Sequence, residues 1–207
     1  MDAASVDITS PRVTEILDKV KSVFALNGFD GASMQDLAQA AQMSVGNFYR
    51  YFPSKDAIIT ALVRRDTMEI EALFDAIRAA PDPGAMFMHL LRQRIEVLPL
   101  EEAALWSEVH ATAFRGPDIA ALMRAMEETV RANIIDALVR IHGDDSAEAC
   151  EIFATRANFI MMLLHGFTQH RYCLGEGISP QNAADVGKLV LATLRDTIFA
   201  PPVPIPA

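Results

Sequence analysis

Apolar residues recur every three or four positions along almost the whole chain, and no segment alternates with period two for long. This spacing places apolar side chains on one face of an α-helix, whereas a half-buried strand needs strict alternation. Prolines such as Pro53, Pro83 and Pro117 fall between the periodic segments. Because proline breaks a helix interior, we interpret them as boundaries. The sequence therefore predicts an all-α fold of about nine helices.

The helix starts are marked by capping residues. Ser10 precedes Pro11, Ser33 stands three residues before Asp36, and proline follows Ser179, all of which are typical of helix N-termini. Helices are predicted over residues 11–27, 33–41, 45–52, 55–80, 85–98, 100–114, 117–141, 146–174 and 180–199. We predict three parts: a DNA-reading domain over 1–54, a sensing and dimerisation domain over 55–200, and an extended or disordered tail over 201–207.

The charge is unevenly distributed. The formal net charge is −9, which by itself disfavours a nucleic-acid partner, because binding phosphate needs Lys and Arg. Residues 1–65, however, carry seven basic and seven acidic side chains, so the excess acid lies in residues 66–207. Between Ser44 and Arg65 there are four basic residues and one acidic residue. This asymmetry indicates that the two parts of the chain do different work.

Two short predicted helices joined by the turn 42–44 form a helix-turn-helix pattern, whose second helix would enter the major groove. Ser44 caps that second helix, and Gly46 allows its backbone to approach DNA closely. Asn47 can pair bidentately with adenine. Hydroxyls and cations that can reach bases or phosphates follow on Tyr49, Arg50, Tyr51 and Lys55.

These residues carry a family resemblance. The stretches 24–29, 33–41 and 44–55, the last reading SVGNFYRYFPSK, resemble the N-terminal domain of the tetracycline-repressor (TetR) family over about residues 10–65. The resemblance implies a homodimeric regulator that binds a palindromic operator and responds to a ligand. It implies contacts to bases or backbone by Val45, Gly46, Asn47, Tyr49 and Tyr51. It also implies phosphate contacts by Ser33 and Lys55, and inward packing by Phe48 and Phe52.

The sequence departs from the family at two positions. Gln42 stands where the family very often has glycine, and a left-handed Gln42 would cost on the order of 1 kcal/mol relative to glycine. Val45 stands where lysine is frequent, which replaces a cation by an apolar contact. Both departures leave the operator sequence undetermined.

The resemblance also implies that the last two helices of each subunit form a four-helix dimer interface. Gly166 and Gly187 lie inside predicted helices, where glycine costs about 1 kcal/mol relative to alanine, so we expect close helix packing there. The predicted dimer residues are Phe159, Leu163, Gly166, Phe167, Ala183, Val186, Gly187, Val190 and Leu194.

A ligand pocket among the fourth to eighth helices is a further implication of the resemblance. Helical spacing gives candidate faces, and the stripe on the eighth helix mixes apolar bodies with sparse polar groups, as ligand pockets do. The predicted lining residues are Trp106, His110, Phe114, Met123, Met126, Asn158, Met162, His165 and Gln169.

Other classes of protein find no support in the sequence. There is no Gly-rich phosphate loop, nucleophile elbow or HExxH pair, so we predict neither an enzyme nor a cofactor. Cys150 and Cys173 are too few for a zinc site, and we predict no metal. The apolar run Phe159–Leu164 is far shorter than the ~20 residues of a membrane span, and the first eleven residues lack a secretory pattern. We therefore expect a cytoplasmic protein without a membrane partner.

The sequence thus predicts a repressor that a small, largely apolar molecule releases from double-stranded DNA. Two alternatives stay open. One is a helix-turn-helix regulator controlled by a partner protein. The other is a small-molecule-binding protein that retains a vestigial DNA-binding domain.

Overall fold

The computed structural model of the chain describes residues 6–97, 100–174 and 179–203. Over these residues it contains nine α-helices and no β-strand, which confirms the all-α prediction. The helices are α1 (Pro11–Gly31), α2 (Met34–Ala40), α3 (Val45–Tyr51), α4 (Lys55–Ala79), α5 (Pro83–Val97), α6 (Leu100–Arg115), α7 (Pro117–His142), α8 (Ala147–Leu174) and α9 (Pro180–Phe199). The last four residues of the predicted tail lie outside the described part of the chain.

Helix α1 continues four residues beyond its predicted end, from residue 27 to Gly31. The sequence Asn27-Gly28 indicated a stop, and Gly28 does leave the helical region, with φ of 67° and ψ of 171°. The chain resumes a single helical turn after this kink, closed by a 3.2 Å bond from the Ala32 N–H to the Gly28 carbonyl. Glycine adopts such a left-handed φ without the steric cost that a side chain brings.

The chain divides by its packing into two compact units. The first comprises the residues up to Met68 together with Glu101–Met126, so it joins the N-terminal helices to α6 and the start of α7. The second comprises Glu69–Leu100 and the residues from Glu127 onward. This division follows packing, so the functional boundary predicted between residues 54 and 55 stays a prediction.

The core of the first unit explains why α6 belongs with the N-terminal helices. Leu105 and Val109 of α6 are buried in the same apolar cluster as the helix-turn-helix side chains. Fully buried members of that cluster include Ile16, Leu17, Val20, Phe24, Leu37, Ala38, Phe48, Phe52 and Ile58. Burying each large side chain stabilises the unit by about 1.5–3 kcal/mol.

The second unit has its own core, formed by α5, α7, α8 and α9 with the second half of α4. Gly187 of α9 packs closely on α5: a Cβ at this position would lie 3.3 Å from Ile95 Cγ2. The end of α9 is held by Arg156, which donates to the carbonyls of Ala200 and Pro201, and by His142, whose Nε2 lies 2.8 Å from the Ile198 carbonyl.

Candidate DNA interface and effector region

Helix α2 begins at a capping box, as the sequence predicts. The Ser33 hydroxyl accepts a 3.2 Å bond from the Asp36 N–H, and the Asp36 carboxylate accepts a 2.9 Å bond from the Ser33 N–H. The carboxylate also accepts from the Ser33 hydroxyl at 2.6 Å, and these bonds lower the pKa of Asp36 below its ordinary value. The box fixes where the helix-turn-helix begins.

The turn between α2 and α3 has the left-handed residue that the sequence raised as a possibility. Gln42 has φ of 57°. This conformation lets the Met43 N–H reach back 2.9 Å to the Ala38 carbonyl, which satisfies a carbonyl at the end of α2. A residue with a side chain therefore carries strain here that glycine would avoid.

Helix α3 has one buried face and one exposed face. The Ser44 hydroxyl accepts from the Asn47 N–H at 3.3 Å and caps the helix, as predicted. Phe48 and Phe52 are fully buried with ring centroids 5.7 Å apart, which agrees with the inward packing that the family resemblance implied. Because these two anchors fix the rotation of α3, residues 45–47, 49 and 50 face outward.

The outward face contains most of the predicted DNA-contacting residues. Val45 is 38% exposed and Tyr49 47% exposed, unusually high for large apolar or aromatic side chains. Tyr51 is half-buried against the core. Among the described residues, and apart from the backbone of α3 itself, no atom lies within 4 Å of a Cβ placed on Gly46, so the space above that glycine is open. The exposed residues of this outward face, called the reading face below, are Ser44, Val45, Gly46, Asn47, Tyr49 and Arg50.

Two of the four basic side chains counted between Ser44 and Arg65 bind other parts of the chain and do not belong to the outward face of α3. The Lys55 ammonium donates to the carbonyls of Phe29 and Asp30, so in this structure it binds the end of α1; its phosphate contact stays a prediction. Arg65 is 7% exposed, and its guanidinium donates to the Asp18 carboxylate at 2.8 Å. The free positive charge of residues 44–65 is therefore smaller than the count of residues suggested.

Helix α6 provides contacts that the sequence analysis missed. The Glu108 carboxylate accepts a 3.1 Å bond from the Phe29 N–H, directly after the kink in α1. Two turns further along α6, Arg115 forms a 3.2 Å ion pair with Asp30. These partners are 79 and 85 residues apart in sequence, and no local pattern indicates such pairs.

The predicted effector residues of the first unit do not all lie together. Met123 is buried in the core, and Trp106 and Met126 pack against it half-buried. His110 lies one turn after Trp106, with its Nδ1 2.7 Å from the Trp106 carbonyl and the rings 6.4 Å apart. Phe114, by contrast, is 92% exposed. Apart from Phe114, these side chains line the inner side of the unit.

Helix α6 also carries a buried hydroxyl without a partner. Among the described residues, Thr112 Oγ1 is the buried side-chain oxygen or nitrogen for which no hydrogen bond is found. Burying such a group without a hydrogen bond costs free energy. The position lies within one turn of His110 and Glu108 on the same helix.

The predicted effector residues of α8 face outward. The helix buries the opposite side, where Phe153, Ala157 and Ile160 are fully enclosed. Met162 is 60% exposed. The exposed stripe consists of Asn158, Met162, His165 and Gln169, with Gly166 and Phe159 beside it. These four residues therefore lie on the solvent side of α8, and their contact with an effector stays a prediction.

The predicted dimer residues divide in the same way. Phe167 and Gly187 are buried within the second unit, as is Leu194, which has no exposed surface. Leu163, Ala183, Val186 and Val190 are half-buried. Phe159 and Gly166 are exposed, and a Cβ on Gly166 would meet nothing within 4 Å. Phe159 and Gly166 are thus the most exposed members of the set, the half-buried residues keep part of their surface exposed, and the dimer interface stays a prediction.

Within the part of the chain that the structure describes, none of the helices is long and apolar enough to cross a membrane. Within the same residues, no group of three or more His, Cys, Asp or Glu side chains is arranged to hold a metal ion.

Two family models match the chain. One, described as bacterial regulatory proteins of the tetR family, matches residues 16–62 and so covers the helix-turn-helix. The other, described as the C-terminal part of a BetI-type transcriptional repressor, matches residues 89–196, more than half of the chain.

Individual proteins agree with these models. The transcriptional regulator UidR of Escherichia coli K12 is 31% identical over 123 residues, which cover 58% of this chain and 61% of UidR. The structure of GusR from Salmonella enterica superposes with a TM-score of 0.70 at 22% identity, covering 91% and 93% of the two chains. That of FadR from Bacillus subtilis, solved with stearoyl-CoA, gives 0.71 at 13% identity, covering 89% and 98%. These structural likenesses show the fold.

Proposed function

Because the chain belongs to the tetR family of bacterial regulatory proteins, we propose that it is a homodimeric repressor that binds a palindromic operator through α3 and is released by a small, largely apolar effector. The observation that carries the proposal is the reading face of α3. Its two phenylalanines are buried while Val45, Asn47 and Tyr49 are exposed beside the open space over Gly46. A helix anchored on one side and bare on the other fits a major groove.

Gly46 and Tyr49 offer a direct test of DNA contact. A Cβ at Gly46 meets no described atom outside α3, so we expect Gly46→Ala to leave folding intact and to act only where DNA approaches. Tyr49→Ala removes a 47% exposed ring, and Leu73→Ala is its matched control because Leu73 on α4 is equally exposed. We expect both α3 variants to weaken operator binding about tenfold or more, as loss of a good base contact does, and the control to leave it unchanged. Equal affinity of all four proteins would contradict the proposal.

The second copy is proposed to sit on the exposed stripe of α8. Gly166 supports this, since glycine within a helix costs about 1 kcal/mol relative to alanine and no described atom outside α8 would lie within 4 Å of a Cβ there. Met162 adds a large apolar side chain, 60% exposed, to the middle of the same stripe. Phe159 borders it. A facing helix of a second copy would bury these groups and could approach closely at Gly166, which has no side chain in the way.

A charge in this stripe tests the dimer. Met162→Glu places two carboxylates near the two-fold axis of the proposed dimer, and we expect a monomer at micromolar concentration in sedimentation velocity. Leu26→Glu is the matched control, because Leu26 on α1 is 84% exposed, outside this stripe. A wild-type monomer would refute the proposed dimer. A dimer that survives Met162→Glu would place the interface elsewhere, and the stripe would then fit a partner protein, which is the alternative that exposed apolar surface favours.

The effector is proposed to act near α6. Trp106, His110 and Met123 offer an apolar surface with one polar group, and the buried Thr112 hydroxyl lacks a hydrogen-bond partner among the described residues. A ligand that satisfies this hydroxyl would recover the cost of its burial. The relative FadR was solved with stearoyl-CoA, which makes that acyl-CoA a reasonable first probe.

The effector test uses an operator gel shift with stearoyl-CoA and palmitate. We expect an apolar ligand to lower operator affinity and the Thr112→Val variant to change the concentration needed for release. Thr112→Val preserves shape while removing the hydroxyl, so its DNA affinity without ligand is the internal control. If no apolar ligand alters the gel shift or the melting temperature, the sensing half of the proposal fails and the DNA-binding half stands.

A further inference from the structure

Helices α1, α2 and α3, called the reading head below, contact α6 at the kink near the end of α1. Residues 28–30 contact α6 through Glu108 and Arg115 and contact the start of α4 through Lys55. We propose that Glu108 is a positioning residue for operator binding: its carboxylate, on the Phe29 amide, sets the position of reading helix α3. This role rests on the proposed function and concerns a residue outside the helix-turn-helix.

Glu108 replaces a local helix cap. After the kink at Gly28, the Phe29 N–H lies at the start of a new helical turn, and the first N–H groups of a helix have no carbonyl partner within it. The Glu108 Oε2 accepts from it at 3.1 Å. A carboxylate at the start of a helical turn is favourable both as an acceptor and as a charge. What is unusual is that the cap comes from another helix, so it ties the two together.

Gly28 is shaped to admit the carboxylate. A Cβ at this position would lie 3.0 Å from Glu108 Oε2 and 3.3 Å from its carboxyl carbon. The residue also has φ of 67°, which disfavours any side chain. Both the close carboxylate and the positive φ favour glycine at this position, and both allow Glu108 to reach the Phe29 N–H.

The carbonyl of Phe29, whose N–H binds Glu108, is bound by a residue of α4. The Lys55 ammonium donates to the carbonyls of Phe29 and Asp30. Lys55 is the first residue of α4 and follows the last residue of α3 by four positions. The Phe29 residue thus has its N–H bound by α6 and its carbonyl bound next to the reading helix, while its ring is buried edge-on against Phe24 at 4.4 Å.

This arrangement leaves little freedom between α6 and α3. A rotation or shift of α6 that carries Glu108 away must either break the bond to Phe29 or move Phe29 together with Lys55. Arg115, two turns after Glu108, restrains the same segment through Asp30, but this ion pair is exposed and contributes less. Glu108, which is half-buried, is therefore the stronger of these two polar connections, which act beside the apolar packing of Leu105 and Val109 of α6.

The test compares a full palindrome with a single half-site. A palindrome needs both heads of a dimer at the correct spacing, whereas one head suffices for a half-site. With the full-length protein, we expect Glu108→Ala to weaken palindrome binding about tenfold, the scale of one charged hydrogen bond, and to change half-site binding less than about threefold. Glu108→Gln retains an acceptor oxygen and should restore most of the affinity. Glu101→Ala, an exposed carboxylate two turns earlier on α6, is the control and should behave as wild type.

Each other result has a distinct meaning. Equal losses on both DNAs would show that Glu108 only keeps the head folded, and would overturn the positioning role. Palindrome affinity that is unchanged in Glu108→Ala would also overturn it. Wild-type protein that binds neither DNA would refute the proposed function, and with it any role that rests on operator binding.

Discussion

The two glycines inside α8 and α9 are expected to respond to alanine in opposite ways. A Cβ on Gly166 would meet nothing in its own chain, whereas one on Gly187 would lie 3.3 Å from Ile95 Cγ2 and 3.9 Å from the Phe167 ring. Replacing glycine by alanine within a helix stabilises it by about 1 kcal/mol. Gly166→Ala should therefore stabilise the isolated subunit by about that amount. In Gly187→Ala the tight contact with α5 costs about 1–3 kcal/mol, which cancels or exceeds the gain.

The dimer reverses the effect at Gly166. If a facing helix of a second copy occupies the space over this glycine, each new methyl group meets that helix, and overpacking costs about 1–3 kcal/mol. Two such contacts in a symmetric dimer raise the dissociation constant by about tenfold or more. Gly166→Ala should thus combine a more stable subunit with a weaker dimer, which general misfolding cannot produce.

Sedimentation equilibrium and urea unfolding measure the two quantities separately. Unfolding is followed below the dimer dissociation constant, so that dimerisation does not add to the free energy of unfolding. Gly187→Ala serves as the control, with subunit stability equal to or below that of wild type and no specific loss of dimer. A Gly166→Ala protein that is more stable and dimerises as tightly as wild type would refute the placement of the second copy on this stripe.

Three further predictions concern the reading head. Gln42→Gly should raise the free energy of unfolding by about 1 kcal/mol in urea titrations, because the residue has φ of 57°, while Gln42→Ala should bring no gain. Phe48→Ala should cost about 3–5 kcal/mol and abolish operator binding together with the head's cooperative melting, since its ring is fully buried. The lowered pKa of Asp36 stabilises the folded state above the ordinary value of 3.8, and this is lost as the pH falls below that value. Ser33→Ala, which removes the hydroxyl bond that mainly lowers this pKa, should therefore destabilise the protein more at neutral pH than at pH values well below 3.8.

Local sequence signals predicted the helices well. Capping serines indicated the starts of α2, α3 and α9 close to where the structure has them, because their side chains bind neighbouring backbone N–H groups. The Ser10 side chain makes no such bond, so the start of α1 is marked by Pro11. The end of α1 was less predictable. Gly28 indicated a stop, but the helical turn after it depends on the Glu108 carboxylate, which comes from 79 residues away.

The faces of α8 show where periodicity stops being informative. Both of its sides carry large apolar groups: Phe153 and Ile160 on one, Phe159 and Met162 on the other. Helical spacing groups the residues of each stripe but does not say which stripe meets the chain's own core. Packing decides this, so the sequence alone does not show that the stripe of Asn158, Met162, His165 and Gln169 lies on the solvent side of α8. Gly187 and Gly166 look alike in sequence for the same reason, although of the two only Gly187 lies so close to a described neighbour that a Cβ would make a tight contact.

Charge counting had a related weakness. Lys55 and Arg65 were part of the local positive charge, yet the first binds carbonyls at the end of α1 and the second is buried with Asp18. A sequence count gives the number of cations, whereas their availability to phosphate depends on tertiary contacts. Operator binding should still weaken with salt, but with a slope that reflects fewer phosphate contacts than four free cations would provide.

The most direct test of the central claim is selection of binding sites from random double-stranded DNA by the purified wild-type protein. The account predicts enrichment of an inverted repeat whose half-sites lie about one DNA turn apart, bound by two copies of the chain. Tyr49→Ala, carried through the same selection, should lose this enrichment. Recovery of no sequence above the starting pool by the folded wild-type protein would contradict the claim that α3 reads DNA.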